Sequence, residues 1–315
     1  MTGNFSPGYD ALVHAAGLID LSKRGRIRVT GEDRARLLHA MCTNHVQQMK
    51  PGDGMYAFFL NAQGRILADG YLLCFDDHFL IDTGMATRSS LFAHLDEFII
   101  ADDVTLTDIT EETFSIGLEG PKAVETAARC GMPAPHHRYA HVRYGEYTVA
   151  TIAGAAPHGV RIYGPLKDKD EAVASMEAAG AIAASDADAE TVRIENFVPR
   201  YGIDIDDRTL PPETQQMHAL HFQKGCYLGQ EIVERIRSRG HVNRLLMGFR
   251  IEGVDAAPEP GTKLIVEGQP AGEVTSSAAA GDTAFGLAFV RAQGNKSGAM
   301  AAINGRAAAL FAPRD

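Results

Sequence analysis

The alternation of helical and strand patterns stops near residue 245, and this break constrains the chain more than any other feature. Beyond it, Leu246 to Ile251, Lys263 to Val266, Gly272 to Ser276, Phe285 to Val290 and Ala308 to Phe311 are short strand candidates. Gly, Pro and Asn separate them, and no convincing helical period interrupts them. Such a run predicts a small all-β domain, a sandwich or a barrel. The sequence therefore divides into residues 1–245 and residues 246–315.

The longer part mixes strands and helices, so the predicted fold class is α+β. Gly25 to Thr30 alternates polar and apolar residues and reads as a strand. Thr30, with Asp33 three residues on, is the expected cap of a helix whose apolar face is Leu37, Leu38 and Met41. Met55 to Leu60, Arg65 to Phe75 and Phe79 to Asp82 read as a strand meander turning at Asn61 to Gly64 and Asp76-Asp77. A helix is expected from Thr87 to Phe98. A second α+β segment starts near Val104, with a helix from Pro121 to Cys130 ended by Gly131. Strands follow at Tyr139 to Tyr144, Tyr147 to Ala153 and Val160 to Tyr163, then a helix from Lys169 to Ala179. Ala181 to Ala189 reads either as a helix entry or as an exposed loop.

With 315 residues, 45% of them apolar and 22% charged, the chain can bury a sizeable core. The net charge of -10 repels phosphate backbones, which argues against nucleic acid as a partner. No apolar run reaches the length of a membrane span, and Met1 to Asp10 lacks the pattern of a signal peptide. The four cysteines, Cys42, Cys74, Cys130 and Cys226, form no C-x-x-C pair and suit a reducing compartment, so a cytoplasmic location is expected.

The most informative segment is Lys224-Gly-Cys-Tyr-Leu-Gly-Gln-Glu-Ile-Val-Glu-Arg235. Two glycines, a cysteine and a tyrosine stand before a helix that begins near Gly229 or Gln230 and runs to Ser238. Helix N-termini carry free N–H groups and partial positive charge. A cysteine there, beside Lys224, can become a reactive thiolate; the plainer reading is a small buried apolar residue. From Lys224 to Arg250 six basic residues face two acidic ones, a local reversal of the chain's charge. Arg235, Arg237, Arg239 and Arg244 either attract an anion or form a solvated face in which Glu231 pairs with Arg235. His218, His221 and His241 flank the segment, but their spacing matches no metal-ligand set, and no metal site is expected.

The string KGCYLGQE with Arg235 resembles the signature of the YgfZ family, folate-binding proteins related to the T-protein (aminomethyltransferase) of the glycine cleavage system. Every fixed position of that signature is present: Lys224, Gly225, Cys226, Tyr227, Gly229, Gln230, Glu231 and Arg235. Val192-Arg-Ile-Glu195 with Pro199-Arg-Tyr-Gly202-Ile-Asp204 is similar to the segment where the superfamily sets a glutamate against the pterin. Leu210-Pro-Pro-Glu213 fits the lead-in to the signature. Gly64-Arg-Ile-Leu-Ala-Asp69 is similar to a T-protein strand ending in two adjacent aspartates, of which this chain keeps the second, Ala68 standing at the first.

The resemblance implies two α+β domains and a C-terminal barrel around a central folate site. It implies Cys226 as the essential thiol. Asp69, Glu195, Tyr201, Lys224, Tyr227 and Arg235 become candidate ligands of a tetrahydrofolate or a one-carbon-substituted folate. Glu195 would accept paired hydrogen bonds from the pterin; without a ligand it would pair with Arg193 or Arg200. Asp69, matched to an aspartate linked to catalysis in the T-protein, would bind a folate nitrogen or merely cap a turn with Gly70. Tyr227 either stacks on the pterin or fills core. The implied role is assembly or repair of iron–sulfur clusters in [4Fe–4S] enzymes, with cluster-assembly proteins or client enzymes as partners. A folate-dependent aminomethyltransferase and a folate-binding scaffold without chemistry are the alternatives.

Overall fold

A computed structural model describes residues 5–240, 242–291 and 298–313, with Arg239 described by its backbone alone. The fold is mixed α+β with two antiparallel-rich sheets and a closed barrel. One sheet has five strands in the order Gly54–Leu60, Ile66–Cys74, Phe79–Thr83, Gly25–Thr30, Thr105–Asp108. The other has six, in the order Ile182–Ala183, Gly17–Asp20, Thr113–Glu119, Gly159–Pro165, Tyr147–Ala150, His141–Tyr144.

The two sheets exchange strands. Gly17–Asp20 precedes the five-stranded sheet in the chain but pairs with Thr113–Glu119 in the other. Thr105–Asp108, at the expected start of the second segment, pairs with Gly25–Thr30 in the first sheet. Each sheet buries its own apolar cluster, one around Ile27, Leu38, Phe59 and Leu72, the other around Phe114, Ile116, Val160 and Ile162.

Most predicted helices lie within a residue or two of their expected limits. The helix Arg34–Met41 buries Leu37, Leu38 and Met41, but Thr30 does not cap it. Thr30 ends its strand and donates to the Thr105 carbonyl, Gly31 turns the chain at φ +100°, and Asp33 takes the cap position. The alanine-rich stretch resolves into the short strand Ile182–Ala183 and the helix Asp186–Glu195. Ser185 caps that helix through a capping box with Asp188.

The tail is a six-stranded closed barrel in the order Arg244–Glu252, Thr283–Arg291, Gln269–Ala280, Lys263–Val266, Met300–Ile303, Arg306–Phe311, and back to the first. Met300–Ile303 is a strand beyond the sequence expectation. A bulge between Val274 and Ser276 aims Thr275 outward, so that Thr275 and Ser276 both donate to Asp204 at 2.6 Å. Phe197 stacks on Phe311 and fills the space beside Gly248, where a Cβ would lie 2.4 Å from its ring. These contacts fasten the barrel to the segment after the Asp186–Glu195 helix. Among the described residues, no helix is long and apolar enough to cross a membrane.

Candidate functional site

Side chains alternate along a strand, so Asp69 and Tyr71 share one face of the Ile66–Cys74 strand, and a register shift that skips Leu67 brings Ile66 to the same face, with Tyr56, Phe58 and Leu60. On the neighbouring strand Tyr56 lies opposite Tyr71 and donates its hydroxyl to Asp69 Oδ2 at 2.6 Å. Burial raises the Asp69 carboxyl above its ordinary range, against the opposing pull of the Tyr56 hydrogen bond and the Arg24 charge. Tyr201 donates to the Ile66 carbonyl at 3.3 Å, and burial with the nearby acids Asp207, Asp206 and Asp69 pushes its hydroxyl up to about 12. Tyr71 lies 5.3 Å from Tyr56 and 5.7 Å from Tyr139, ring centre to ring centre, and His218 lies 5.4 Å from Tyr56. The result is a carboxylate set among aromatic faces.

A buried charge network underlies this face. Asp82 accepts from Arg24 at 2.5 Å, Arg161 at 2.8 Å and the Tyr163 hydroxyl at 2.7 Å. The two guanidiniums overcome the burial of Asp82 and hold its carboxyl down at about 2. Arg161 also sits 4.9 Å over the Tyr71 ring, a cation–π contact that fixes the ring's position.

The KGCYLGQE segment is tied down at both ends. Lys224 is buried, and its Nζ donates to the carbonyls of His39 (2.5 Å), Cys42 (2.7 Å) and Asn44 (2.9 Å) where the Arg34–Met41 helix ends. Its three N–H donors are thus engaged, and burial lowers its ammonium to about 8. The ammonium also stands 4.8 Å over the Tyr227 ring. Tyr227 packs in a cluster with Phe58, Leu60, Ile66 and Val233. Gly229 begins the helix Gln230–Arg239 at φ +82°, and a Cβ there would lie 2.6 Å from the Asn61 carbonyl oxygen. Gly64 faces it, so the Asn61–Gly64 turn and the helix start meet without side chains between them.

Between these anchors Cys226 is exposed and free. A histidine group that sequence spacing does not reveal stands nearby. His39 and His45 lie 4.6 Å apart and His45 and His221 5.0 Å apart, with His39 Nε2 directed at Gly225. Burial, with Lys224 and the other two rings, lowers His39 to about 4. Among the described residues no group of three or more His, Cys, Asp and Glu is arranged to hold a metal ion. His241 lies outside the described residues.

Glu195 stands apart from Asp69. It accepts from the Tyr9 hydroxyl at 2.7 Å and lines a cavity of about 480 Å³ with Val192, Phe197, Arg250, Phe285 and Phe311. The expected pairing with Arg193 or Arg200 does not form, because both guanidiniums turn to Glu190, and Arg193 also to Asp204. The Glu231–Arg235 pair is likewise absent among the described residues; Arg237 pairs with Glu234, and Arg235 lines a second cavity beside Arg65.

The sequence profile of the GCVT N-terminal domain family matches residues 6–224, well over half of the chain. The chain belongs to that family. An aminomethyltransferase of Rubrobacter xylanophilus is 29% identical over 291 residues, covering 90% of this chain and 78% of the relative. A putative chloroplastic transferase of Arabidopsis thaliana is 26% identical over 302 residues, covering 92% of this chain and 68% of the relative. In fold, the chain is similar to the glycine cleavage system aminomethyltransferase T of Bartonella henselae, with a TM-score of 0.84 at 18% identity over 96% of this chain and 87% of that one.

As a GCVT-family chain the protein carries Asp69, Glu195, Tyr201 and Lys224 inside the matched region. Cys226, Tyr227 and Arg235 fall just beyond it. The aromatic neighbours of Asp69 escape the sequence reading. Tyr71 has the one available signal, its place two residues from Asp69 on the same strand face. Tyr56, Tyr139, Arg24 and Arg161 reach the site through strand pairing and packing that no local pattern records.

Proposed function

We propose that this chain binds tetrahydrofolate against the Asp69–Tyr201 face and presents the Cys226 thiol as a factor in the assembly or repair of iron–sulfur clusters in [4Fe–4S] enzymes. The observation that carries this reading is Cys226 itself, an exposed free thiol on a segment clamped by Lys224 on one side and by Gly229 on the other. A rigidly presented accessible thiol suits a reagent better than a packing residue.

The donor set fits a folate. A carboxylate accepts charge-assisted hydrogen bonds from ring N–H groups, and aromatic faces take up a flat heterocycle. In this reading Asp69 and Tyr201 meet the ring. Lys224 and Tyr227 act on the same ligand through the segment they position. Glu195, oriented by Tyr9, is the second proposed pterin acceptor, and Glu195→Gln against Asp69→Asn asks which carboxylate the ring needs. Four free cysteines suit the reducing cytoplasm. The partners would be cluster-assembly proteins or client enzymes.

The names of the relatives favour a second reading, folate-dependent aminomethyl transfer, with Asp69 as the carboxylate at the one-carbon group. One experiment separates the two. Cells lacking a protein of this type receive the wild-type chain or Cys226→Ala, and [4Fe–4S] enzyme activity is assayed. Rescue by wild type alone supports the cluster role. Failure of both, with methylenetetrahydrofolate formed from aminomethyl-loaded H-protein, establishes the transferase. Equal rescue by both removes the thiol from the function and leaves a folate-binding scaffold.

A further inference from the structure

The free thiol of Cys226 is held against the end of the helix Arg34–Met41 by two hydrogen bonds, one on each side of it. Two residues before it, the Lys224 ammonium donates to the His39 carbonyl; two residues after it, the Leu228 N–H donates to the Ala40 carbonyl at 2.9 Å. The chain around the thiol is thereby laid against the residue that carries the His39 side chain. That residue is only 6% exposed. Its Nδ1 accepts the Gln47 N–H in a long hydrogen bond of 3.5 Å, which places the proton of the neutral ring on Nε2. Nε2 faces Gly225, where a Cβ would lie 3.6 Å away, and it has no hydrogen-bond partner among the described residues. A buried ring thus presents one N–H donor, without a protein acceptor, at the residue next to an exposed thiol. The other polar groups of the segment are committed or of the wrong sign. Lys224 spends its three N–H donors on carbonyls, and Glu231, in the first turn of the following helix, is negative.

We propose that His39 is the hydrogen-bond donor of the Cys226 reaction, its Nε2–H stabilising the negative charge that develops on the group being joined to the thiol. The reactants this suits are electrophiles that carry a lone-pair acceptor at the leaving atom, disulfides and persulfides above all. In such a step the Cys226 thiolate attacks one sulfur, the new S–S bond forms as the old one breaks, and the leaving thiolate accepts from Nε2–H before taking a proton from water. Burial and the charge of Lys224 keep the ring neutral, so His39 lends a hydrogen bond and transfers no proton. Gly225 is part of the arrangement, since any side chain there would stand between the donor and its acceptor. The value of this donor to cluster assembly rests on the thiol role proposed above; its effect on the thiol's own reactions does not.

The test is the rate at which the full chain forms a mixed disulfide with glutathione disulfide at neutral pH, followed by mass spectrometry so that Cys226 is counted apart from Cys130. Wild type, His39→Gln and His39→Leu are compared, with thermal melts confirming that each is folded. Glutamine keeps an N–H donor near the place of Nε2; leucine fills the space and has none. His39→Leu should react about tenfold more slowly than wild type, and His39→Gln within about threefold of it. Equal rates for wild type and His39→Leu would overturn the donor role, and so would equal slowing of both variants, which would make the ring a structural part. So that a loss of fold does not blur the result, wild type is also read directly, from nitrogen-15 spectra of its imidazoles before and after Cys226 is loaded. The His39 proton should sit on Nε2 and its signal should move on loading; a proton on Nδ1, or a signal that does not move, would overturn the proposal. These readings do not depend on the cluster assay. Full rescue of [4Fe–4S] enzymes by Cys226→Ala would remove the thiol from the function and leave the effect of His39 on the thiol standing.

Discussion

Lys224 shows how one side chain turns a motif into a geometry. Its ammonium spends three hydrogen bonds on the carbonyls of His39, Cys42 and Asn44, so the signature segment is fastened to the end of a helix nearly two hundred residues earlier in the chain. Lys224→Met keeps the apolar stem and removes the donors. Leaving buried carbonyls unsatisfied should lower stability by about 3 kcal/mol in urea unfolding. Cys226→Ser, at an exposed position, should change it by less than about 0.5 kcal/mol. The neighbouring His39 supplies a pH signature. Its imidazole is lowered from 6.5 to about 4, so the folded state favours the neutral ring. The associated stability is complete above pH 6.5 and is lost as pH falls toward 4. His141 is lowered to about 4 by its own burial and acts with the same sign. Urea midpoints measured between pH 7 and 4 should therefore fall for wild type and fall less steeply for His39→Gln; an unchanged slope would show that His39 is not held neutral by the fold.

At the scale of elements, the contact of the Asn61–Gly64 turn with the start of the Gln230–Arg239 helix decides where Cys226 is presented. Gly229 combines φ +82° with a hypothetical Cβ 2.6 Å from the Asn61 carbonyl, so no rotation relieves the clash. Gly229→Ala should cost at least about 2 kcal/mol, from left-handed strain plus displacement of the turn. It should also weaken folate affinity, because the strand that carries Asp69 continues from that turn; an alanine variant with wild-type stability and affinity would show the contact to be dispensable. This part of the molecule was half legible in the letters. The helix start, its glycine and its cysteine stand in one short string, and local chemistry governs them. The barrel is legible for the same reason, as its strands are bounded by turn residues, although the small-residue strand Met300–Ile303 carries no apolar alternation to mark it. The Asp69 face is not local. Asp69 is visible on its strand, but Tyr56 joins it by strand register, Tyr201 from over a hundred residues away, and Arg24 by packing. The His39–His45–His221 group likewise exists only once the chain has folded.

The whole molecule turns on Asp82. It lies on the Phe79–Thr83 strand of one sheet and accepts from Arg161 and Tyr163 on the Gly159–Pro165 strand of the other. Arg24 completes the cluster, and Arg161 in turn holds the Tyr71 ring that borders Asp69. One buried carboxylate thus connects the joint between the sheets to the site. Asp82→Asn removes the charge but keeps the shape, leaving the buried guanidinium of Arg161 and the half-buried one of Arg24 without their counter-charge, and should cost about 3–5 kcal/mol. The loss should be repaired in part by a second change, Arg161→Met, because the pair then leaves one fewer uncompensated charge than Asp82→Asn alone. Stability alone cannot tell a bolt from a positioning device, so folate affinity is the second readout. If Asp82 acts only as a bolt, the double variant regains affinity along with stability. If it acts through Arg161 on Tyr71, affinity stays low in the double variant, since methionine cannot replace the cation over the ring. The geometry predicts the second outcome.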